Sequence, residues 1–241
     1  MTARIISVGT PKGGSGKSTT VETLAVEAAY QGYKVLIYDM DPIGSSTNFV
    51  IRRNDLIDQL IESGQDAIPT IMQVSKSPNE KKVRRSIMNF ANDYELIFID
   101  NKGEAETTFQ ETCMIADLVI YPVEKSTKEI EQIPKMVELI NRANESRRLV
   151  DEDADNIPVL ALINKVDLRK REANRAFRTI LKTKYESFFK VASVSYPFRE
   201  SFMNTDYGTT VSDQKSKERG TVQLLLKEVL TSVGLEGDSN G

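Results

Sequence analysis

A glycine-rich run near the start of the chain limits what this sequence can fold into more than any other feature. Residues 11–19 read Pro-Lys-Gly-Gly-Ser-Gly-Lys-Ser-Thr and directly follow a strand-like segment at 5–8, Ile-Ile-Ser-Val. Small residues between a strand and a helix let backbone N–H groups curl around phosphate oxygens, and the helix directs the positive end of its dipole at the same anion. The run therefore predicts a phosphate site.

Two side chains of this run extend the prediction to a nucleoside triphosphate. We expect Lys17 to reach the β and γ phosphates, which also makes it a predicted catalytic residue, and the Ser18 hydroxyl to hold Mg²⁺. The predicted nucleotide-binding residues of the run are Lys12, Gly13, Gly14, Ser15, Gly16, Lys17, Ser18 and Thr19.

Short β-branched runs alternate with helical patterns along the rest of the chain. These runs are apolar on both faces, which is typical of a parallel sheet buried between helices. They occupy residues 5–8, 34–38, 96–99, 118–121, 159–163 and 191–194. No break in composition divides the chain. The sequence therefore predicts one α/β domain over residues 1–236, with a doubly wound, mostly parallel sheet and helices on both faces, and a flexible tail at 237–241.

Four segments carry helix signals. One follows the glycine run up to Gly32, a second begins at a capping-box spacing in 77–80, and the others cover 130–140 and 218–233.

Composition excludes several classes of protein. The single cysteine, Cys113, leaves no partner for an internal disulfide, and the absence of histidine removes the usual zinc ligands. The longest apolar runs are strand-sized and the N-terminus enters a strand directly, so we expect neither a membrane span nor a signal peptide. These features predict a cytoplasmic protein with no membrane partner.

Acidic residues end two of the predicted strands beside the glycine run. Asp39 and Asp41 follow the second strand, and Asp100 ends the third. Carboxylates at the carboxyl ends of strands, next to a phosphate site, can orient a water molecule or hold the shell of a metal ion. The predicted magnesium residues are Ser18, Asp39, Asp41 and Asp100.

Residues 164–167 bear on the choice of base. They read Asn-Lys-Val-Asp after a predicted strand, which is the guanine-reading pattern Asn-Lys-x-Asp of G proteins. Such an aspartate accepts hydrogen bonds from N1–H and the exocyclic amine of guanine, a pair of donors that adenine lacks. The match is only four residues long, so both ATP and GTP stay open at this point.

The glycine run also carries a resemblance to a known family. It has a second lysine, Lys12, before the glycines and Pro11 where the standard loop has its first glycine, and in this form it resembles the deviant Walker A loop of the ParA/MinD superfamily of P-loop ATPases. The resemblance extends over residues 5–230, includes the stretch 199–211, and is closest to the short ParA-type partition ATPases. The family usually has Gln at the position of Ile43 and Thr at that of Asn101.

The resemblance implies roles for individual residues. Lys12 is implied to be catalytic and to reach the phosphates of a second subunit in an ATP-bound homodimer. Asp41 matches the hydrolytic aspartate of the family. Asn164 is implied to lie near adenine, and the loop at Pro197 to close over the base. These matches favour ATP, with Mg²⁺, over GTP.

The resemblance also implies partners. Short ParA-type proteins bind DNA non-specifically as ATP dimers, and a centromere-binding, ParB-like partner on the cargo DNA stimulates their slow ATP hydrolysis. The implied function is plasmid or chromosome segregation by a nucleoid-associated protein. The MinD-like branch ends instead in a basic amphipathic membrane anchor, whereas residues 235–241 are acidic and polar here.

A basic segment offers a site for the DNA. Residues 165–190 carry nine Lys or Arg against three acidic residues, a local net charge of +6 in a chain of net charge −3. On a helix, positions 171, 175, 178 and 182 share one face, and Phe177, Ile180 and Leu181 would anchor the other. The predicted DNA-binding residues are Arg169, Lys170, Arg171, Arg175, Arg178 and Lys182. The alternatives are an ordinary solvated helix face here, and DNA sites at 81–85 or 215–219.

The sequence is also compatible with two other functions. One is a GTP-using regulatory switch. The other is a metabolic ATP-dependent ligase on the same fold, which would turn over with a small carboxylate or amine and would need no DNA. Nitrogenase-type iron proteins need two cysteines per subunit, and Cys113 stands alone.

Overall fold

The strands form one parallel sheet, as the sequence predicts. The computed structural model describes residues 2–75, 83–103, 106–203, 205, 207–214 and 216–235. Within these ranges the sheet has seven strands in the order β3-β2-β4-β1-β5-β6-β7, and every neighbouring pair is parallel. The strands are β1 Arg4–Val8, β2 Val35–Asp39, β3 Met72–Ser75, β4 Leu96–Asp100, β5 Leu118–Glu124, β6 Val159–Val166 and β7 Lys190–Pro197.

The sequence did not predict β3, and its position explains why. This strand of four residues lies at the edge of the sheet and pairs only with β2 among the described strands. Its first residue, Met72, is 56% exposed, and none of the four is fully buried. An edge strand lacks the apolar character on both faces that marks the buried strands.

The described residues contain eight helices. They are α1 Lys17–Tyr30, α2 Ser45–Glu62, α3 Val83–Met88, α4 Glu106–Ile115, α5 Thr127–Arg148, α6 Arg171–Lys184, α7 Glu200–Met203 and α8 Lys217–Ser232, with a 3₁₀ turn at Val211–Asp213. Of these, α1 to α6 connect successive strands, and α7 and α8 follow β7. Gly32 follows α1 with a φ of 91°, the left-handed conformation expected of a helix-ending glycine. The capping-box prediction at 77–80 and the tail predicted at 237–241 lie outside the described residues.

Helices cover both faces of the sheet. α1, α2 and α8 pack on one face, where Val21 and Leu226 are fully buried. α4, α5 and α6 pack on the opposite face through residues such as Ile133 and Phe177, and α3 covers the neighbouring area through Ile87. Because every strand runs in the same direction, the loops that follow the strands all meet at one edge of the sheet. The predicted nucleotide residues lie in those loops or at the adjoining ends of α1, β6 and β7.

A buried ion pair fixes the middle of α2, the helix that follows the Asp39–Asp41 loop. Arg53 is completely buried, and its Nη1 and Nη2 atoms each donate to a different oxygen of Asp213, both at 2.9 Å. The remaining donors of this guanidinium reach the carbonyl oxygens of Pro69 and Gly208, both at 3.0 Å. Tyr30 Oη of α1 also donates to Asp213 Oδ1 at 2.9 Å. The pair therefore joins α1, α2 and the 3₁₀ turn.

We predict that Arg53→Ala lowers the free energy of unfolding by about 3–5 kcal/mol, because the Asp213 carboxylate stays buried without its partner. Urea denaturation followed by circular dichroism measures the change. Arg142→Ala serves as the matched control. Arg142 pairs with Glu138 one helical turn away on the surface of α5, and its loss should cost less than about 0.5 kcal/mol. Equal costs for the two variants would contradict a structural role for the buried pair.

Candidate nucleotide site

The glycine run forms a loop between β1 and α1 that Asn164 supports from β6. Gly14 and Gly16 adopt positive φ values of 74° and 87°. The side-chain amide of Asn164 donates from Nδ2 to the carbonyl oxygen of Ser15 at 2.9 Å. A Cβ atom on Gly16 would lie 2.1 Å from that same Nδ2. Gly16 is therefore required both by its backbone conformation and by the space that Asn164 occupies.

A cavity of about 630 Å³ opens in front of this loop. Its walls come from three of the loops at the carboxyl edge of the sheet and from β6. The described residues that line it are Gly13, Gly14, Gly16, Lys17, Ser18, Thr19, Asp41, Pro42, Ile43, Ser45, Lys102, Gly103 and Lys165. The loop after β4 packs tightly here, since a Cβ on Gly103 would lie 3.1 Å from Gly13 Cα and 3.2 Å from Lys17 Nζ. The size of this cavity and the hydrogen-bond donors in its wall, from the glycine loop and Lys17, suit a nucleoside triphosphate.

The residues around Asp100 fit a magnesium ion. Ser46 Oγ donates to Asp100 Oδ2 at 2.8 Å, whereas Oδ1 is buried and accepts no hydrogen bond from the described residues. Burial and the neighbouring Asp39 carboxylate raise the pKa of Asp100 to about 7, and the nearby Ser18 and Ser46 hydroxyls and the Lys17 ammonium oppose this rise. A cation bound beside Asp100 would stabilise the charged form of this buried carboxyl group.

Asp39 and Asp41, both predicted metal residues, occupy different positions. Asp39 is buried, and its oxygens accept hydrogen bonds from Asp41 N at 2.9 Å and from Thr47 N and Oγ1 at 2.8 Å. Asp39 therefore holds the first turn of α2 and is not among the described residues that line the phosphate cavity. Asp41 does line the cavity, and its Oδ1 accepts from Ile43 N at 3.0 Å.

Lys12 points away from the cavity of its own chain. Its Nζ donates to Glu129 Oε1 at 2.9 Å, and it is not among the described residues that line the cavity. The Glu129 side chain is completely buried at the start of α5, whereas that of Lys12 is 43% exposed. The hydrogen bond and the charge of Glu129 raise the pKa of Lys12 above its ordinary value. Glu129 was not predicted, because nothing near it in the sequence marks it as more than a helix-surface acid.

A second cavity, of about 510 Å³, lies beside the first, and Lys165 borders both. Its other described lining residues are Glu124, Val166, Asp167, Leu168, Arg169, Phe198 and Arg199. Pro197, which was predicted to lie at the base, is buried and pairs with Val166 in the sheet. The next two residues, Phe198 and Arg199, form the wall of the cavity instead.

Lys165 has a role that the sequence did not predict. It is the one non-glycine residue with a positive φ, 53°, in the described part of the chain. Its Nζ contacts the carbonyl oxygen of Gly14 and pairs with Glu124 Oε1 at 2.7 Å. Such a backbone conformation is uncommon for a residue with a side chain and is retained where surrounding contacts enforce it. Asn164 and Lys165 thus bind two successive carbonyls of the glycine loop.

The basic helix α6 differs in part from its prediction. Arg171, Arg175 and Lys182 are exposed as expected. Arg178 is half-buried, and its guanidinium donates to the carbonyl oxygens of Ala192 and Val194 and to Ser195 Oγ on β7. Its charge therefore holds α6 against the sheet, which removes Arg178 from the predicted DNA-binding face.

One predicted anchor residue of this segment is exposed rather than buried, and one basic residue forms an ion pair. Ile180, predicted to anchor the helix, is 41% exposed, and Phe177 and Leu181 alone of the three are buried. Arg169 pairs with Asp167 through its Nε at 2.9 Å but keeps a side chain that is 90% exposed. Lys170, at the start of α6, is exposed as expected.

The described ranges lack two other kinds of feature. No helix there is long and apolar enough to cross a membrane. No group of three or more His, Cys, Asp or Glu side chains in that part of the chain is arranged to hold a metal ion.

The parallel sheet, the glycine loop after β1 and the cavity at the carboxyl edge define a nucleotide-binding protein of the P-loop kind. A family model described as "CobQ/CobB/MinD/ParA nucleotide binding domain" matches residues 6–196, and the chain belongs to this family. A probable plasmid-partitioning protein ParA from Thermus thermophilus is 24% identical, over 95% of this chain and 79% of the relative.

Solved structures share the fold. The MinD cell division protein of Aquifex aeolicus superposes with a TM-score of 0.70 at 17% identity and covers 95% of this chain and 97% of its own. A putative plasmid partition protein from Borrelia burgdorferi, solved with AMPPNP bound, gives a TM-score of 0.69 at 18% identity, with 96% and 99% of the two chains covered. The structural likeness confirms the predicted fold class, and the family match confirms the predicted superfamily.

We predict that Gly16→Ala abolishes nucleotide binding, because the new methyl group displaces Asn164 from the loop and strains a left-handed backbone. Gly32→Ala is the matched control. Gly32 has a similar φ of 91°, but a Cβ there meets no atom within 4 Å. This variant should lose about 1 kcal/mol of stability and still bind nucleotide. Isothermal titration calorimetry with ATP and Mg²⁺ distinguishes the two, and normal binding by Gly16→Ala would refute the assigned geometry.

Proposed function

We propose that this protein is an ATP-dependent dimerising switch with slow ATPase activity, which binds DNA non-specifically and positions or segregates a DNA cargo. The observation that carries the proposal is the position of Lys12. The ammonium of Lys12 lies away from the cavity of its own chain although the residue belongs to the phosphate loop, which supports a role for Lys12 in a second subunit. Glu129 holds the ammonium in the single chain.

In this proposal the glycine loop between β1 and α1 binds the nucleotide. Lys17 and the backbone N–H groups of the loop bind the phosphates, where charge-assisted hydrogen bonds are strongest. Ser18 and Asp100 would hold Mg²⁺, which neutralises charge on the phosphates. Asp39 contributes indirectly, because it fixes the turn that carries Asp41.

Hydrolysis requires a water molecule aligned with the terminal phosphate, and Asp41 is the carboxylate that lines the cavity. We assign Asp41 the task of orienting that water. Lys12 of the second subunit then adds positive charge where negative charge develops in the transition state. Because the site lacks this charge in the single chain, hydrolysis depends on dimerisation and stays slow without it.

The basic face of α6 is the proposed DNA site. Arg171, Arg175 and Lys182 are exposed on this helix without any aromatic side chain among them, so they suit phosphate contacts rather than base reading. One such face is weak, but a dimer presents two at once, and linked sites gain avidity without new contacts. The protein therefore binds DNA more tightly as the ATP-bound dimer than as the monomer.

The relatives support a role on DNA in the cell. A relative that covers nearly the whole of this chain carries the name of a probable plasmid-partitioning protein. We propose a cytoplasmic, nucleoid-associated protein whose hydrolysis is stimulated by a ParB-like, centromere-binding partner on the cargo DNA. A metabolic ligase on the same fold would instead show turnover that depends on a small carboxylate or amine and ignores DNA.

We predict that Lys12→Ala binds ATP with an affinity within about threefold of the parent and yet stays monomeric, because its target lies in the other subunit. Asp41→Ala should behave oppositely and accumulate as an ATP-bound dimer with phosphate release at least tenfold slower. Light scattering with ATP and Mg²⁺ reports the mass of each variant. A normal dimer from Lys12→Ala would rule out the role of this lysine in the partner subunit.

We predict that binding to random duplex DNA needs ATP and Mg²⁺ and weakens with salt, with a log–log slope of about −0.9 for each phosphate neutralised. Replacing Arg171, Arg175 and Lys182 with Glu should abolish this binding and leave the ATP dimer intact. Replacing Arg84 and Arg85 of α3 with Glu is the control for added negative charge. Fluorescence anisotropy measures both, and loss of DNA binding only in the α3 variant would move the site to that helix.

A further inference from the structure

Residues 164–167 are joined to the phosphate loop in a way that fixes where a base is read. Asn164 donates to the Ser15 carbonyl and Lys165 to the Gly14 carbonyl, and the backbone N–H of Lys165 donates to Asn164 Oδ1 at 2.8 Å. Asp167 is therefore only two residues from a segment that direct contacts hold against the glycine loop.

The cavity of about 510 Å³ beside the phosphate site is large enough for a purine base, and both apolar and charged side chains line it. Lys165 borders both cavities, so a ligand whose phosphates lie on the glycine loop extends past this side chain into the second space. Phe198 and Leu168, which line that space, are 58% and 49% exposed. Exposed apolar side chains that face a cavity between fixed polar groups are typical of a binding site for a base.

The Asp167 carboxylate accepts a pair of parallel hydrogen bonds from the side chain of Arg169. Arg169 Nε donates to Asp167 Oδ1 at 2.9 Å and Nη2 donates to Oδ2 at 3.0 Å. Two parallel N–H groups therefore meet two carboxylate oxygens side by side. The same hydrogen bonds hold the pKa of Asp167 down at about 2, so the group is an ionised acceptor at neutral pH.

Guanine presents the same pair of donors. Its N1–H and its exocyclic N2–H are parallel and adjacent, whereas the corresponding edge of adenine has one donor, at N6, next to an acceptor at N1. A carboxylate that pairs with an arginine fork therefore pairs with guanine and is repelled by one atom of adenine. Because the side chain of Arg169 is 90% exposed, its pair with Asp167 is a surface ion pair that a competing ligand can replace.

We propose that the base cavity binds guanine nucleotides as well as adenine nucleotides, with Asp167 as the residue that recognises guanine and Arg169 as the internal competitor for Asp167. The inference rests on the proposed nucleotide-switch function and adds to it the class of base. It makes the protein a purine-nucleotide switch whose preference depends on one exposed ion pair.

Competition binding on the full chain with Mg²⁺ tests this inference, with a fluorescent ATP analogue displaced by unlabelled ATP, GTP or xanthosine triphosphate. The parent protein should bind GTP within tenfold of ATP. Arg169→Ala should tighten GTP binding at least threefold more than ATP binding, because Asp167 loses its competitor. Asp167→Asn should lower the ratio of GTP to ATP affinity at least tenfold. The same variant should gain at least tenfold in affinity for xanthosine triphosphate, because the carbonyl oxygen at position 2 accepts a hydrogen bond from the new side-chain amide.

Controls separate this inference from the proposed function. Asp153→Asn makes the same change on an exposed residue away from the cavities and should alter no affinity ratio. Circular dichroism verifies folding of each variant, and Arg169→Ala tests the idea independently if Asp167→Asn does not fold. ATP binding with no displacement by GTP at a hundredfold excess overturns the inference and leaves the ATP switch standing. Failure of the parent to bind either nucleotide, which is the result expected for the Lys17→Ala and Gly16→Ala variants, overturns the proposed function itself.

Discussion

The hydrogen bond from the Asn164 amide to the Ser15 carbonyl is the contact on which the nucleotide site depends. It joins the end of β6 to the glycine loop after β1, across the intervening strand β5. It occupies the space beside Gly16 that any side chain there would need, so the glycine and the asparagine require each other. The neighbouring contact of Lys165 with Gly14 repeats the connection one residue away. The two neighbouring cavities, which share Lys165, are thereby connected through the same contacts.

Much of this arrangement was predictable because it follows from local rules. The glycine run, the apolar strands and the acidic residues that end them indicate a parallel sheet with a site at its carboxyl edge. The sheet topology confirms the predicted sheet, and the family match confirms the predicted class of nucleotide-binding protein. Each of these signals lies within a few consecutive residues. The direction of parallel strands then brings the loops together without further information.

The remaining features depend on contacts between distant residues, which no local pattern records. Glu129 lies 117 positions from Lys12, and its burial follows from how α5 packs on the sheet. Arg178 falls on the predicted basic face by its spacing, but it lies close enough to β7 to bond two of its carbonyls. The sequence did not predict β3, because this edge strand pairs only with β2 among the described strands and its residues are not buried on both faces. Tertiary context decides each of these cases.

The burial of Arg53 against Asp213 has a consequence for how related sequences can diverge. A guanidinium and a carboxylate removed from water tolerate no single replacement, since either partner alone would be an uncompensated charge in the interior. Positions 53 and 213, separated by 160 residues in the chain, can therefore change only together, by an exchange for an apolar pair of similar volume or for the same pair in reverse. Tyr30, which bonds the same carboxylate, would have to adapt in the same step. We therefore expect positions 30, 53 and 213 to covary among related sequences.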